Sequence, residues 1–290
     1  MLDLILAVAC STIIVLMFKY LEQKKLDNHP VITVNYIVCV IVGSIFFGFP
    51  SLKEASTAPW LPWALGLGTL FIGAFNLIAV TVQRCGVLVA SVASKLTLVI
   101  PVLFAFFYFD EAATLPRIAG IICALIAVIL VSIPDRAEET AESARTDRLL
   151  LIALPFLVWL SGGGIEVSLK LNQTWYLDES SYPPFTVFLF GTAAALGLLL
   201  IIIRVLRGAR LPGWHEIGAG IALGIPNYGS IYFLLRALDK YDAAVVFPVG
   251  NVGVIVGATA LAYFFFEEKP SRWGMVGIAF ALGAIILVLQ

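Results

Sequence analysis

Charged residues are scarce in this 290-residue chain: Asp, Glu, Lys and Arg make up 13% of it, against roughly 25% in a soluble domain. Hydrophobic residues make up 61%, and the mean hydropathy is +1.00. A chain with so few charges cannot cover its own surface in water, which excludes an ordinary soluble protein. Its apolar runs are long and continuous, so we expect an α-helical protein embedded in a membrane.

Groups that catalyse reactions or bind metals are also few. The two histidines, His29 and His215, both lie near the ends of apolar runs, and no metalloprotease motif, Ser/His couple or P-loop occurs. The four cysteines lie inside apolar runs and have no metal-ligand spacing. We therefore expect no enzyme activity, metal or cofactor, and no direct use of ATP. The net charge of −1 and the lack of a basic tract give no sign of nucleic-acid binding.

Ten apolar stretches are long enough to cross a bilayer, because a helix rises ~1.5 Å per residue and the hydrocarbon core is ~30 Å thick. Charged or proline-containing segments separate most of them. The predicted spans are residues 2–20, 32–49, 60–83, 87–109, 116–134, 149–170, 184–206, 214–237, 243–266 and 272–289.

A charged stretch divides the chain into two halves of five predicted spans each. This inter-repeat loop, 135–148, has eight charged residues in fourteen, and it separates a first five-helix repeat, 1–134, from a second, 149–290. An odd number of spans in each half forces the second half to enter the membrane from the opposite side. The spans thus predict an all-α polytopic membrane protein, in which ten transmembrane helices form two inverted five-helix repeats.

The ends of the two halves are similar in sequence. Residues 109–131 align without a gap on 266–288, and ten of the 23 positions are identical. Apolar helices resemble one another by chance, but an aligned acid, hydroxyl residue and glycine at fixed offsets indicate an internal repeat. In the first half the motif follows an apolar helix that contains Pro101. The aligned residues are Phe109-Asp-Glu111, Thr114 and Gly120 in the first half, and Phe266-Glu-Glu268, Ser271 and Gly277 in the second.

With this motif at the end of each half, the chain resembles the drug/metabolite transporter superfamily, and within it the ten-helix EamA-like transporters. The resemblance covers nearly all 290 residues. It implies export or exchange of small metabolites through a central cavity lined mainly by helices other than the fifth and tenth. It leaves the substrate open, since members carry amino acids, sugars, nucleotide sugars and drugs.

The orientation in the membrane has two conflicting indications. Loops that follow odd-numbered spans hold twelve Lys and Arg residues, and the opposite side holds five. Cytoplasmic loops carry the Lys and Arg excess, so this bias predicts that both termini lie outside. The family resemblance implies that both termini lie inside.

Two ionisable residues lie within predicted spans. Lys95 is about eight residues into the fourth span. A lysine at the centre of a membrane helix makes the free energy of membrane insertion less favourable by ~2.5–3.5 kcal/mol. We interpret it as a contact for an anionic group of the substrate; the alternative is a structural lysine bonded to helix carbonyls. Glu166 follows three glycines in the sixth span, where it is either a proton or cation site or an interfacial glutamate near Lys170.

Neutral polar residues lie beside prolines in the second half. Asn227 and Tyr228 follow Pro226, and Asn251 follows Pro248, one position from the repeat equivalent of Lys95. Interrupted helices at corresponding positions indicate a binding site, although amides also join helices structurally for ~0.6 kcal/mol each. Weaker candidates for substrate binding are Asn76, Tyr36 and Tyr232.

These features predict a secondary transporter of a small polar metabolite, an amino acid or another carboxylate or zwitterion, that works by alternating access. The alternatives are a channel-like or scaffolding membrane protein without carrier activity and, less favoured by the sequence, an intramembrane enzyme. The expected partners are a small-molecule substrate, membrane lipid and a coupling proton or counter-substrate, with a homodimer as an open assembly state. The expected location is the bacterial inner (plasma) membrane.

Overall fold

The computed structural model of the chain describes residues 1–24, 26–48, 52–85, 87–131, 148–266 and 272–290. Within these ranges the regular secondary structure is helical throughout. Glu268, Ser271 and residues 135–147 of the predicted loop lie outside them. The helices are α1 (Leu2–Gln23), α2 (Asn28–Phe47), α3 (Leu52–Ser56), α4 (Leu61–Cys85), α5 (Val87–Lys95), α6 (Val99–Tyr108), α7 (Leu115–Val131), α8 (Arg148–Trp175), α9 (Tyr182–Leu206), α10 (Trp214–Lys240), α11 (Ala243–Phe266) and α12 (Arg272–Val288).

Most of these helices match the apolar runs of the sequence. In the described part of the chain, seven helices are long and apolar enough to cross a membrane, and three further apolar helical stretches are shorter. The shorter stretches are Val92–Tyr108, Leu115–Val131 and Arg272–Val288. Together they indicate an integral, multi-pass membrane protein.

Two of the predicted spans, the fourth and the sixth, differ most from the observed helices. The fourth span is not one continuous α-helix, because a 3-10 turn at Leu96–Leu98 separates α5 from α6. The sixth span continues five residues beyond the predicted end, to Trp175, through a polar stretch. Lys170, at the predicted end, donates to the Leu238 carbonyl oxygen (3.0 Å), and Gln173, in the added stretch, donates to Asp239 (3.1 Å). The polar side chains therefore have partners that hydropathy cannot show.

Local signals fix both ends of α2. Asp27 caps α2, since its carboxylate accepts a hydrogen bond from the His29 backbone N–H (3.1 Å) and pairs with Arg204 (2.9 Å). Gly48 follows α2 with φ 84°, a left-handed value that favours glycine. Asp27 thus joins the start of α2 to the end of α9.

The described residues fold into two compact units. The first unit contains residues 1–72 and 168–239, and the second contains 73–167 and 240–290. Helices α4 and α8 contribute residues to both. Because these units are not consecutive in sequence, they do not correspond to the two predicted repeats, whose boundaries stay a prediction.

In the first unit, α2 packs antiparallel against α9 through glycines. A methyl group added at Gly43 would lie 2.6 Å from Val187 Cγ2, and one added at Gly197 would lie 2.7 Å from Thr33 Oγ1. Both distances are too short for a real Cβ, so the two backbones approach as closely as only glycine permits.

In the second unit, α7 packs antiparallel against α12 in the same manner. A methyl group at Gly120 would lie 2.6 Å from Val288 Cγ2, and one at Gly277 would lie 2.7 Å from Val131 Cγ2. The apolar core beside this contact contains Val252 and four small residues, Ala124, Ala127, Ala281 and Ala284. The glycines predicted to belong to a repeat motif are therefore helix-packing positions.

The acid of the first motif also has a structural partner in the second unit. Glu111 accepts hydrogen bonds from the backbone N–H groups of Ala243 (2.8 Å) and Ala244 (2.7 Å). These are the first two residues of α11, whose N–H groups have no partner within the helix. Glu111 therefore caps α11 across more than a hundred residues of sequence.

Candidate functional site

The break between α5 and α6 places Lys95 at the last residue of α5, where its side chain is partly buried. Pro101 explains the break locally, since it lacks an N–H and its ring collides with the carbonyl four residues earlier. The indole N–H of Trp159 donates to the Leu96 carbonyl oxygen (3.0 Å). A 3-10 segment inside a longer helix often marks a functional hinge, and here a side chain of α8 satisfies one of its carbonyls.

The three glycines of α8 lie next to this break. A methyl group at Gly162 would overlap Thr97, and one at Gly163 would overlap Ile100, whereas Gly164 has open space. Close helix approach therefore accounts for two of the three glycines. Thr97 itself bonds back to the Ser94 carbonyl oxygen (2.9 Å), as a hydroxyl residue commonly does in a membrane helix.

One turn further along α8, Glu166 meets Asn251 of α11. The Asn251 amide donates to Glu166 Oε1 (3.5 Å) and to the Phe247 carbonyl oxygen (3.0 Å). Glu166 Oε2 is buried and accepts no hydrogen bond from any described residue. A buried carboxylate oxygen without a partner is rare and expensive, so this atom is the clearest position in the second unit for a proton or a bound group.

Lys95 and Glu166 do not form an ion pair in the part of the chain that the structure describes. Asn76 is half-buried on α4, also in the second unit. Of the four candidates in this unit, the structure thus brings Glu166 and Asn251 together and places Lys95 at the helix break.

The other four candidates lie in the first unit, on α2 and α10. The rings of Tyr228 and Tyr232 stack at 6.0 Å, and Phe47 lies 4.9 Å from Tyr232 between ring centroids. The Tyr228 hydroxyl is buried and has no hydrogen-bond partner among the described residues. Asn227 is half-buried one position before it. This aromatic group therefore contains a second polar atom that a ligand could satisfy.

Tyr36 and Tyr232 have neighbours that limit their roles. The Tyr36 ring stacks on Phe190 at 5.7 Å and is buried. The Tyr232 hydroxyl accepts from Arg236 (3.3 Å), which also pairs with Asp3 (3.1 Å) and Glu179 (2.6 Å). Tyr232 is thus tied to a charged cluster at the C-terminal end of α10.

Two residues of these sites were absent from the sequence candidates. Trp159 lies in the middle of its predicted span, unlike a tryptophan at the membrane interface, and that position was a usable signal. Cys39 is buried and donates from its thiol to the Gly224 carbonyl oxygen (3.3 Å). No sequence signal distinguishes it from a small hydrophobic residue. Within the described residues, no group of His, Cys, Asp and Glu could hold a metal ion.

The structure combines apolar helices long enough to span a bilayer with a broken helix and buried polar groups. These features define the class of polytopic membrane proteins with polar sites between their helices. The family model of the EamA-like transporter family matches residues 1–133 and 176–290. The chain therefore belongs to the EamA-like transporter family, whose members are membrane transporters rather than enzymes. This confirms the family indicated by the sequence motifs.

Individual relatives add little about the substrate. The chain is 27% identical over 292 residues to an uncharacterized protein of Haemophilus influenzae, covering 98% of this chain and 96% of that protein. It is 24% identical over 272 residues to a Lactobacillus johnsonii protein named "Putative sugar uptake protein", covering 88% and 87%. A solved protein structure superposes with a TM-score of 0.78 over 99% of this chain and 94% of that one. At 16% identity it shows a shared fold alone.

Proposed function

We propose that this protein is a secondary transporter of a small polar metabolite, an amino acid or another carboxylate or zwitterion, working by alternating access between two inverted repeats. The observation that carries the proposal is the polar site of the second unit, with Lys95 at a helix break and Glu166 beside Asn251. An amino acid has a carboxylate for Lys95 and an ammonium group for the unpartnered oxygen of Glu166. Relatives from two bacteria support the bacterial plasma membrane as its location.

The ten predicted helices are supported by the seven long and three shorter apolar stretches. The inverted repeat is supported by the α2–α9 contact in the first unit. Gly43 contacts Val187, and Gly197 contacts Thr33. Gly43 and Gly197 are separated by the same number of residues as Thr33 and Val187. A single rotation can therefore place α2 on α9 and α9 on α2, so that each glycine contact is exchanged for the other. A two-fold axis that exchanges antiparallel helices must be perpendicular to them, and for membrane-spanning helices it lies in the membrane plane.

The α7–α12 contact in the second unit has the same reciprocal form. Gly120 contacts Val288, and Gly277 contacts Val131, again with equal separations between glycines and between partners. This separation matches the gapless alignment of residues 109–131 on 266–288. Two helix pairs, each inside its own unit, thus have the internal symmetry that inverted repeats require.

A third correspondence joins different helices within the first unit. Gly68 of α4 approaches the Leu189 carbonyl of α9, and Gly224 of α10 approaches the Asn35 carbonyl of α2, 2.9 Å from a methyl group added there. Asn35 and Leu189 are separated by the same number of residues as Gly43 and Gly197. The packing of α4 on α9 is therefore repeated by α10 on α2.

The break at Leu96–Leu98 gives alternating access a physical element that can move. Transporter sites lie where membrane helices are discontinuous, because the unwound backbone and the side chains beside it can bind polar groups. Lys95 binds the substrate carboxylate there, and Glu166 accepts the ammonium group or carries the coupling proton. Bending at the break then exposes this site to one side of the membrane at a time.

The test is counterflow in proteoliposomes loaded with an unlabelled amino acid, organic anion or sugar and assayed for uptake of the labelled compound. Wild-type protein should show saturable counterflow with an amino acid or organic anion. Lys95→Gln should lower it about ten- to hundred-fold, since a charge-assisted hydrogen bond contributes about 1.5–3 kcal/mol. Lys240→Gln, an exposed lysine at the end of α10, is the matched control and should transport normally.

The outcomes separate the alternatives. Flux without counterflow would indicate a channel, and no flux of any compound would favour a scaffold; either result refutes the carrier. Normal counterflow in both Lys95→Gln and Glu166→Gln would keep the carrier but refute the assigned site.

A sugar is the competing substrate class. It is favoured by the name of the Lactobacillus johnsonii relative, and the amide of Asn251 can hydrogen-bond a hydroxyl of a neutral polyol. Sugar counterflow that survives Lys95→Gln and fails in Asn251→Ala would establish this class instead.

A further inference from the structure

A groove separate from these polar sites opens in the first unit between α1 and α10. Its volume is about 710 Å³, within the range of roughly 300–1,000 Å³ that small-molecule sites have. Met17 and Tyr20 of α1 line it together with Lys24, which directly follows α1 and donates its backbone N–H to the Tyr20 carbonyl oxygen (3.0 Å). Trp214 and Gly218 are among the lining residues of α10. These spacings place each set on one face of its helix, so the groove runs along two adjacent helices.

The floor of the groove is apolar and already packed. Leu21, Val31, Ala219 and Leu223 form a buried cluster, and Met17 packs against it. Space remains above this floor, because a methyl group added at Gly218 meets no atom within 4 Å. The groove therefore offers a preformed apolar surface that a hydrocarbon chain can cover.

The mouth of the groove is aromatic and basic. Trp214 is 85% exposed and Tyr20 is 42% exposed, and both lie at span ends, where such side chains reach the level of lipid headgroups. Lys24 and His215 are exposed beside them. The Lys24 ammonium lies 5.9 Å from the centre of the Tyr20 ring, so it stays over the mouth.

The positive charge at this mouth is not neutralised by described carboxylates. No Asp or Glu is among the residues that line the groove. Asp27 and Glu216, which adjoin lining residues in the sequence, have partners of their own, since Asp27 pairs with Arg204 and Glu216 pairs with Arg210. Lys24 makes no ion pair with any described residue. An anion is therefore the complementary ligand.

We propose that this groove binds one anionic phospholipid, with an acyl chain on the apolar floor and the phosphate between Lys24 and His215. Lys24 directly follows α1 and is seven residues beyond Met17, a spacing of ~10 Å at the helical rise that suits a headgroup joined to the first part of a chain. At the same end of the unit, Arg204 and Arg210 neutralise the two neighbouring acids, which leaves the charge of Lys24 in excess. An excess of positive charge at a membrane surface attracts anionic lipids.

Native mass spectrometry of the detergent-purified full chain tests this, with dioleoyl phosphatidylglycerol and dioleoyl phosphatidylcholine as probes. Wild-type protein should retain phosphatidylglycerol in preference to phosphatidylcholine. Lys24→Gln should weaken phosphatidylglycerol binding about five-fold, the effect of one basic residue near a membrane surface. Gly218→Leu should fill the groove and abolish the preference. Gly283→Leu is the matched control, since Gly283 on α12 also has open space around it, and it should bind like wild type.

Three results would overturn the proposal. Equal binding of the two lipids by wild type would remove the role of the anionic headgroup. Undiminished phosphatidylglycerol binding by Gly218→Leu would place the lipid elsewhere. The third result concerns a dimer of the wild-type protein. If Gly218→Leu dissociates this dimer and added phosphatidylglycerol does not, the groove binds a second copy of the chain.

Discussion

Glu111 is the residue whose replacement tests the packing of the second unit most directly. Its two carboxylate oxygens accept hydrogen bonds from the first two N–H groups of α11, at 2.8 and 2.7 Å. A negative charge at a helix N-terminus is stabilised further by the helix dipole. The same helix carries Asn251 about two turns further on, so Glu111 holds one end of an element that belongs to the proposed site.

Glu111→Gln changes this contact by the least possible volume. The amide can accept from one N–H group, but its own NH₂ faces the other, and the negative charge is lost. Loss of a helix cap or of one charge-assisted hydrogen bond costs about 1–2 kcal/mol. For a domain of about this size, that corresponds to a fall in Tm of about 2–8 °C.

The assay is thermal unfolding of the detergent-purified protein without substrate. Asp110→Asn is the matched control, because it removes a carboxylate charge from the adjacent position, which is exposed. Asparagine also tolerates the left-handed backbone of Asp110, with φ 51°. Glu111→Gln should lower the Tm and Asp110→Asn should leave it within about 1 °C. Equal shifts in the two variants would refute the capping role of Glu111.

Two further predictions concern packing and pH. Gly277→Ala should destabilise the protein by about 1–3 kcal/mol in a detergent unfolding assay, because its methyl group would lie 2.7 Å from Val131 and 3.1 Å from the Ala127 carbonyl oxygen. Gly283→Ala is the control, since Gly283 has open space around it. A similar loss of stability in Gly283→Ala would contradict close packing as the cause. The pKa of Asp27 is lowered, since burial raises it but the hydrogen bonds from Arg204 and His29 outweigh burial. Asp27 therefore stabilises the fold above its unfolded pKa of about 3.9, and this stabilisation is lost as pH falls through the lower folded pKa. Arg204→Gln should make Tm less dependent on pH below about 4, and an unchanged profile would count against the pair.

The helices were predictable because a bilayer demands continuous apolar runs, and long runs leave few alternatives. Their ends were less predictable where a polar side chain finds a distant partner. Gln173, in the part of α8 beyond its predicted end, donates to Asp239 (3.1 Å), and no local pattern encodes that contact. The break after Lys95 had a local signal in Pro101, which has no backbone N–H. The spans were predicted from length and hydropathy, and these take no account of backbone hydrogen-bond donors.

The candidate site was predictable in its residue types and only partly in its pairings. An ionisable residue inside a span indicates function, because its insertion into the membrane costs free energy. This argument identified Lys95 and Glu166. The contact of Glu166 with Asn251 depends on how α8 and α11 pack, and the sequence contains no distance between them. For the same reason the sequence showed the acid and the glycine of the motif only as a family signature. The structure shows their contacts, since Glu111 caps α11 and Gly120 packs against α12.

The reciprocal glycine contacts have a consequence for synthesis of the protein. Gly43 of α2 contacts α9, and Gly120 of α7 contacts α12, so each helix meets its partner only after most of the intervening chain has been translated. At ~5–20 residues per second, this delay is roughly 10–30 seconds. During that time the glycine faces of α2 and α7 are inserted without their partners, and lipid or the insertion machinery must cover them. The order of translation therefore makes the arrival of α9 and of α12 the steps that cover the glycine faces of α2 and α7.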